Sequence, residues 1–267
     1  TVSPSAHLGD VFAKNSALAP AMQNYGNIPW ENASDFAEAA NVNSYLVEAE
    51  GIYTGYRYYE TRYADIVLGN GGAEASAGTY ANEDGTVSDT DGTWDYSNEV
   101  VYPFGYGLSY TTFEQTMDSA VIAEDKKTAE VTVTTKNTGD AAGSALPGRR
   151  ARLVQVYAQT PYTDYDRQNQ IEKSAVQLMD FKKTQTLEPG ESQTITMNID
   201  LSNLASYDAN SAKTYIVDPG TYYLAIGTDA HDALNNILAA QGKTTEDGMT
   251  ADGDAGKSYT WNWDGEV

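Results

Sequence analysis

The stretch from Val101 to Phe113, VYPFGYGLSYTTF, decides how the rest of the chain is read. It carries aromatic rings at Tyr102, Phe104, Tyr106, Tyr110 and Phe113 and no charge. A run of this kind predicts burial, because large aromatic rings are stabilised by leaving water. Pro103 fixes one backbone angle, while Gly105 and Gly107 permit turns that other residues resist. The second half, LSYTTF, is rich in β-formers and reads as the entrance to a strand. The stretch is therefore expected to be a buried seam between an upstream layer and a downstream all-β domain.

Downstream, from residue 118, apolar residues recur with a period of two. Candidate strands lie at residues 129–140, 152–160, 174–187, 192–201 and 220–228. Leu187-Glu188-Pro189-Gly190 and Asp218-Pro219-Gly220 mark turns between them. Ile195, Met197 and Ile199 are expected on one face, with Thr194, Thr196 and Asn198 on the other. This spacing predicts a β-sandwich. Residues 231–240, HDALNNILAA, form a short amphipathic helix candidate. The acidic, glycine-rich tail reads as an exit linker that folds Trp261 and Trp263 back onto the protein.

Upstream the signal is weaker. Residues 33–50 are rich in Ala and Glu, and Asp35 is placed to cap a short helix. In residues 50–63, EGIYTGYRYYETRY, the alternation of Ile52, Thr54 and Tyr56 with Tyr53, Gly55 and Arg57 favours a strand or extended aromatic loop over a helix. Residues 69–99 are dominated by Gly, Ser, Thr, Asp and Asn and read as a long surface insertion. Trp94 and Tyr96 stand out within it. They are the candidate substrate-binding residues: either they clamp a ligand or they pin the loop to its own protein.

The whole is expected to be α+β, with three parts. Residues 1–115 would end an α/β sandwich and carry the long loop, residues 116–230 would form the all-β sandwich, and residues 231–267 the helix and exit linker. The first residues open as if inside a loop, which suits a piece of something longer.

Acidic residues outnumber basic ones 38 to 16, for a net charge of −22. That balance argues against nucleic acid, whose binding needs Lys and Arg on phosphates, and against anionic membrane surfaces. A neutral glycan meets no such repulsion. Twenty tyrosines and four tryptophans suit sugar faces and suit strands equally. The absence of cysteine excludes disulfides and thiolate chemistry and leans towards a cytoplasmic setting. His7 and His231 are too few for a histidine metal site. Residues 247–254, DGMTADGD, lack the EF-hand order and read as turns. Glu50, beside an aromatic run that would desolvate it, is either a carboxyl with a raised pKa or a partner of Arg57 or Arg62.

EGIYTGYRYYE (50–60) followed by YPFGYGLSYTTFE (102–114) resembles the late part of glycoside hydrolase family 3, the β-glucosidase family. VSPSAHLGDVFA is similar to that family's NPSGRL-type turn, with Ala6 where Gly is usual, and the later strands are similar to its fibronectin type III-like domain. The resemblance implies a retaining glycosidase in which two carboxylates sit roughly 5–5.5 Å apart. It also implies an Asp nucleophile on a (β/α)8 barrel and an acid/base Glu that lies earlier than this chain begins. No catalytic residue is transferred, and no cofactor or metal is implied. The expected partners are a β-linked oligosaccharide or glucoside and the remainder of the enzyme, barrel included. The alternative is a non-catalytic module binding carbohydrate or protein through Tyr162 and Tyr165, and a calcium-dependent adhesin is a third reading.

Overall fold

The computed structural model describes residues 6–16, 19–20, 28–29, 44–45, 50–71, 73, 79–81, 87–89, 94–143 and 153–264. The first half runs β1 (Ala6–His7), β2 (Phe12–Ala13), β3 (Ile28–Pro29), β4 (Ser44–Tyr45), α1 (Tyr56–Leu68), β5 (Thr79–Ala81), β6 (Val87–Asp89), α2 (Tyr96–Glu99), β7 (Val100–Tyr102) and β8 (Gly107–Leu108). Then come β9 (Phe113–Ile122), β10 (Thr128–Asn137), β11 (Leu153–Gln159), α3 (Asp164–Asn169), β12 (Gln177–Lys183) and β13 (Ser192–Asp200). The chain continues with β14 (Ser206–Asp208), β15 (Thr214–Ile216), β16 (Gly220–Gly227), α4 (Ala230–Ala240) and β17 (Ser258–Trp263). The architecture is α+β.

Two antiparallel sheets face each other, in the orders β13-β10-β9 and β12-β11-β16-β17. On β13 the expected alternation holds, with Ile195, Met197 and Ile199 buried between the sheets and the intervening residues exposed. Outward-facing threonines on β10 and β13 pair hydroxyl to hydroxyl, Thr132 with Thr196 at 3.2 Å and Thr134 with Thr194 at 2.8 Å.

The four-stranded sheet is covered on both faces, so β11 is buried along its whole length. Val154 and Val156 join the inter-sheet core with Met197, Leu224 and Ile226. Tyr157 and Ala225 belong to a second core with Tyr59, Tyr63, Leu234 and Ile237. That second core lies between the sheet and the helices α1 and α4. A strand buried on both faces reads as a near-continuous apolar run, interrupted in LVQVYA by Gln155, whose amide donates to Gly105 O and Thr228 O. Gly227 allows the close approach of α4, because a Cβ there would strike the backbone of Ala233.

Three expectations need correction. Residues 56–68 form a helix, not a strand or extended loop. Tyr59, Glu60, Tyr63, Ala64 and Val67 are its buried face, a stripe of helical period, and Gly69 closes it in the left-handed conformation at φ 72°. The tyrosines were read for β propensity, but burial against α4 decides the outcome. The tail is not an exit linker along its length, because β17 returns to pair with β16. Trp261 and Trp263 lie 5.3 and 5.5 Å from the Tyr222 ring and belong to the inter-sheet core.

The third correction concerns the seam. Its backbone is buried more thoroughly than its rings. Gly105 N donates to Leu8 O at 3.0 Å, Leu8 N to Tyr106 O at 2.8 Å, and Ala230 N to Phe104 O at 2.9 Å. Gly105, at φ 83°, sits where a Cβ would collide with Gln155 and Tyr157. Phe104 stacks on Tyr56 at 4.5 Å. Leu108 and Tyr110, however, stand 71% and 85% exposed, and Tyr102 and Phe12 are also exposed. The seam is anchored by its glycines and carbonyls and leaves an apolar face in solvent. The helix expected at residues 33–50, like most of the 69–93 insertion, falls largely outside the described residues.

Candidate functional site

A cleft of about 750 Å³ runs along α1 and faces the segment around α3. Its walls combine aromatic rings (Tyr53, Tyr58, Tyr162), carboxylates (Glu50, Asp65, Glu172) and guanidinium groups (Arg62, Arg167). Such a mixture offers both ring faces and hydrogen-bonding groups, which suits a polar ligand with apolar faces.

Helix α1 supplies Tyr58, Thr61, Arg62 and Asp65 from the side opposite its buried stripe. Arg62 Nη1 donates to the Tyr58 hydroxyl at 2.7 Å and Nε to Ala73 O at 2.8 Å. Asp65 is pushed above the usual carboxyl range by burial, although the Asn70 amide donates to it at 3.1 Å. Burial also raises the Tyr53 phenol, whose hydroxyl donates to Lys173 O at 3.2 Å. Arg167 lies 5.0 Å from the Tyr162 ring centroid and pairs with Asp164 at 3.0 Å. Glu50, singled out from sequence, is on the cleft wall.

Trp94 and Tyr96 are not on that wall. They are 5% and 6% exposed and belong to the core between the helices and the sheet. The Trp94 ring lies beneath the Arg62 guanidinium, 4.9 Å from its centroid, and so supports a cleft residue from behind. Tyr96 donates from its hydroxyl to Glu60 Oε1 at 2.5 Å and stacks on His231 at 3.8 Å. Burial, and then the Glu60 carboxylate, drive the Tyr96 phenol far above its ordinary range, so it remains the donor.

Glu60 was missed in the sequence. It is fully buried and joins Tyr96 to His231, whose Nδ1 lies 2.8 Å from Oε2. His231 Nε2 lies 2.6 Å from the Thr250 hydroxyl, and the Tyr63 hydroxyl donates to Asn235 at 2.7 Å. One buried carboxylate thus ties α1, the residue 94–99 turn, α4 and the tail together. The signal was available only in helical register: Glu60 lies between Tyr59 and Tyr63 on the buried stripe.

His7 serves the seam, with Nδ1 2.7 Å from Gly105 O. In the acidic run, Asp247 accepts from Thr244 N at 3.0 Å, Asp252 from Thr245 N at 3.1 Å and Asp254 from Gly256 N at 2.9 Å. Those carboxylates are committed to turns and caps. Among the described residues no group of three or more His, Cys, Asp or Glu is placed to hold a metal ion. No helix among them is long and apolar enough to cross a membrane.

Residues 152–230 match the fibronectin type III-like domain family. A β-glucosidase of Ruminococcus albus is 29% identical over 239 residues, covering 87% of this chain and 18% of that protein. The β-glucosidase structure from Paenibacillus barengoltzii superposes with a TM-score of 0.58 at 26% identity, over 85% of this chain and 19% of that one. The Bifidobacterium adolescentis GH3 β-glucosidase gives 0.57 at 25% identity, over 99% of this chain and 27% of that one.

Fold and likeness together define a class: a fibronectin type III-like sandwich fused to the end of an α/β layer. The chain is β-glucosidase-like, and most of its length is similar to the C-terminal region of glycoside hydrolase family 3 enzymes, the fibronectin type III-like domain included. It spans 17–23% of the length of the curated β-glucosidases it matches first.

Proposed function

We propose that this chain is the part of a retaining β-glucosidase that supplies architecture and a wall of the substrate entrance, without the nucleophile barrel. The observation that carries the reading is the bare apolar face of the seam. Phe12, Tyr102, Leu108 and Tyr110 are exposed, beside a cavity of about 310 Å³ lined by Ala6, Leu8, Tyr106 and Leu108. An apolar face of this kind marks a surface made to be covered. Its proposed occupant is the rest of the parent polypeptide, four-fifths of which lies beyond the matched length.

In this reading the boundary near residue 115 separates the α/β end from the sandwich, and the cleft along α1 faces the glycoside. Trp94 and Tyr96 serve the sugar indirectly, Trp94 by holding Arg62 and Tyr96 by fixing the insertion to Glu60. The parent acts on a β-linked oligosaccharide or glucoside, and the cysteine-free composition favours a cytoplasmic setting.

The test is complementation. The chain alone should not turn over an aryl β-glucoside, whereas co-expression with the remainder of its parent should restore turnover. Leu108→Glu with Tyr110→Glu should abolish complementation while leaving the melting temperature of the isolated chain unchanged. Specific turnover by the isolated 267-residue chain would overturn the reading.

A further inference from the structure

The hairpin β14–β15 carries two tyrosines that neither core uses. Tyr207 and Tyr215 are cross-strand partners, 53% and 66% exposed, with ring centroids 5.2 Å apart in an edge-on pair. The adjacent Asp208 and Ile216 turn inward and are buried.

The platform is rigid before any ligand arrives. Asp208 Oδ1 accepts from Asn210 N and Ser211 N, and Oδ2 from Ala212 N and the Tyr165 hydroxyl, at 2.6 to 3.0 Å. Asn210 Nδ2 then donates to Asn169 O at 2.7 Å, tying the hairpin to the end of α3. Preorganisation of this kind lowers the ordering cost of binding.

A cleft of about 320 Å³ opens beside the two rings, within the size range of small-ligand sites. Arg57, Glu172, Gln177 and Asn203 contribute to its walls. Arg57 sets its chemistry. Arg57 as a residue is half-buried, and its guanidinium has no hydrogen-bond or ion-pair partner among the described residues. Its five N–H donors are available to oxygen atoms of a ligand. Glu172, whose Oε2 accepts from Ile52 N at 3.2 Å, brings a carboxylate to the same cleft. A donor fork, an acceptor and an aromatic platform together match the hydroxyl rim and C–H face of a pyranose. The net charge of −22 repels a polyanion.

We infer that this cleft is a binding site for a neutral pyranose oligosaccharide. One ring would lie on Tyr207 and Tyr215, with its hydroxyls on Arg57 and Glu172. The site shares Glu172 with the cleft along α1 but has its own aromatic platform and Arg57, and the inference stands whether or not the parent is a β-glucosidase.

Calorimetry on the 267-residue chain tests it, using a β-linked gluco-oligosaccharide, an α-linked one, a xylo-oligosaccharide and an oligogalacturonate. At least one neutral sugar should bind. Tyr207→Ala with Tyr215→Ala, and Arg57→Gln separately, should each weaken that binding roughly tenfold or more, as loss of about 1.4 kcal/mol requires. Tyr110→Ala, on the apolar seam face, should bind as the unaltered chain does. Should a variant fold poorly, shifts of the Tyr207 and Tyr215 ring resonances on titrating the unaltered chain give the same answer. Three results would each overturn the inference: no neutral sugar binds, the double variant binds undiminished, or oligogalacturonate binds most tightly.

Discussion

Asp229 offers the sharpest test of the helix-backed core. It caps α4, accepting from Asp232 N at 2.9 Å, and it is buried close to His231, Asp232 and Glu60. Burial is the main reason that its pKa rises from 3.8 to about 6, against the lowering effect of the Asp232 amide. A carboxyl whose folded pKa is raised holds its proton more tightly in the folded state. Its contribution is therefore fully present below pH 3.8 and is lost as pH rises towards about 6. The interval from 3.8 to about 6 corresponds to roughly 3 kcal/mol at neutral pH, as an upper bound. Asp229→Asn removes the ionisable group and keeps the cap, since Asn and Asp cap helices about equally well. Thr228 Oγ1, now 3.3 Å from Oδ2, can accept from the new amide. The variant should exceed the unaltered chain by about 1–3 kcal/mol near pH 7.5, and by a few tenths of a kcal/mol near pH 3.5. Urea denaturation at several pH values measures both. A difference that does not change with pH, or a variant less stable near pH 7.5, would refute the assignment of burial as the cause.

Three further outcomes follow from the packing. Gly105→Ala should destabilise the chain by about 2 kcal/mol or more, read by thermal melting, because the left-handed backbone and the contact with Gln155 both resist a Cβ. Glu60→Gln and Tyr96→Phe should each cost about 1–3 kcal/mol, and the double variant less than their sum, since the first weakens and the second removes the same buried hydrogen bond. Asn137→Ala should cost about 2–4 kcal/mol in urea denaturation. Its side chain accepts from Thr111 and Gly139 and donates to Ala141 O and Leu187 O, and the substitution leaves those groups without that partner.

What was legible in the sequence followed the strength of local periodicity. The strands β10, β11, β13 and β16 lie where the periodicity and the Pro-Gly turns put them, because each exposes one residue set and buries the other or fills a layer from both sides. Helix α4 was legible from its leucines and isoleucine, but not its depth. Asn235 and Asn236 look like a polar face, yet both are buried, Asn236 donating to Ile226 O at 2.9 Å and accepting from Asp254 N at 2.7 Å. Helix α1 was misread because tyrosine is ambiguous: the same residue favours strands and fills helix–sheet cores. Trp94 and Tyr96 stand out in a polar insertion, where a ligand clamp and an anchor to the protein look alike. Only the fold reveals which of two physical solutions they take, and both rings are turned inward.

The seam shows why family resemblance and burial are different kinds of information. A motif dense in aromatics reads as core, and the backbone of residues 104–106 is indeed locked to β1, β11 and α4. Yet the rings at Tyr102 and Tyr110 and the side chain of Leu108 lie in water, together with Phe12 on the facing strand β2. Such exposure is costly in a finished molecule, since each fully buried large apolar side chain is worth about 1.5–3 kcal/mol. On the reading proposed above, a further layer of the parent covers the bare side of the motif. The glycines set the seam against this chain, and the exposed rings are the face proposed to meet that layer. In that reading the motif is a joint between two bodies, of which the sandwich and its backing helices form one.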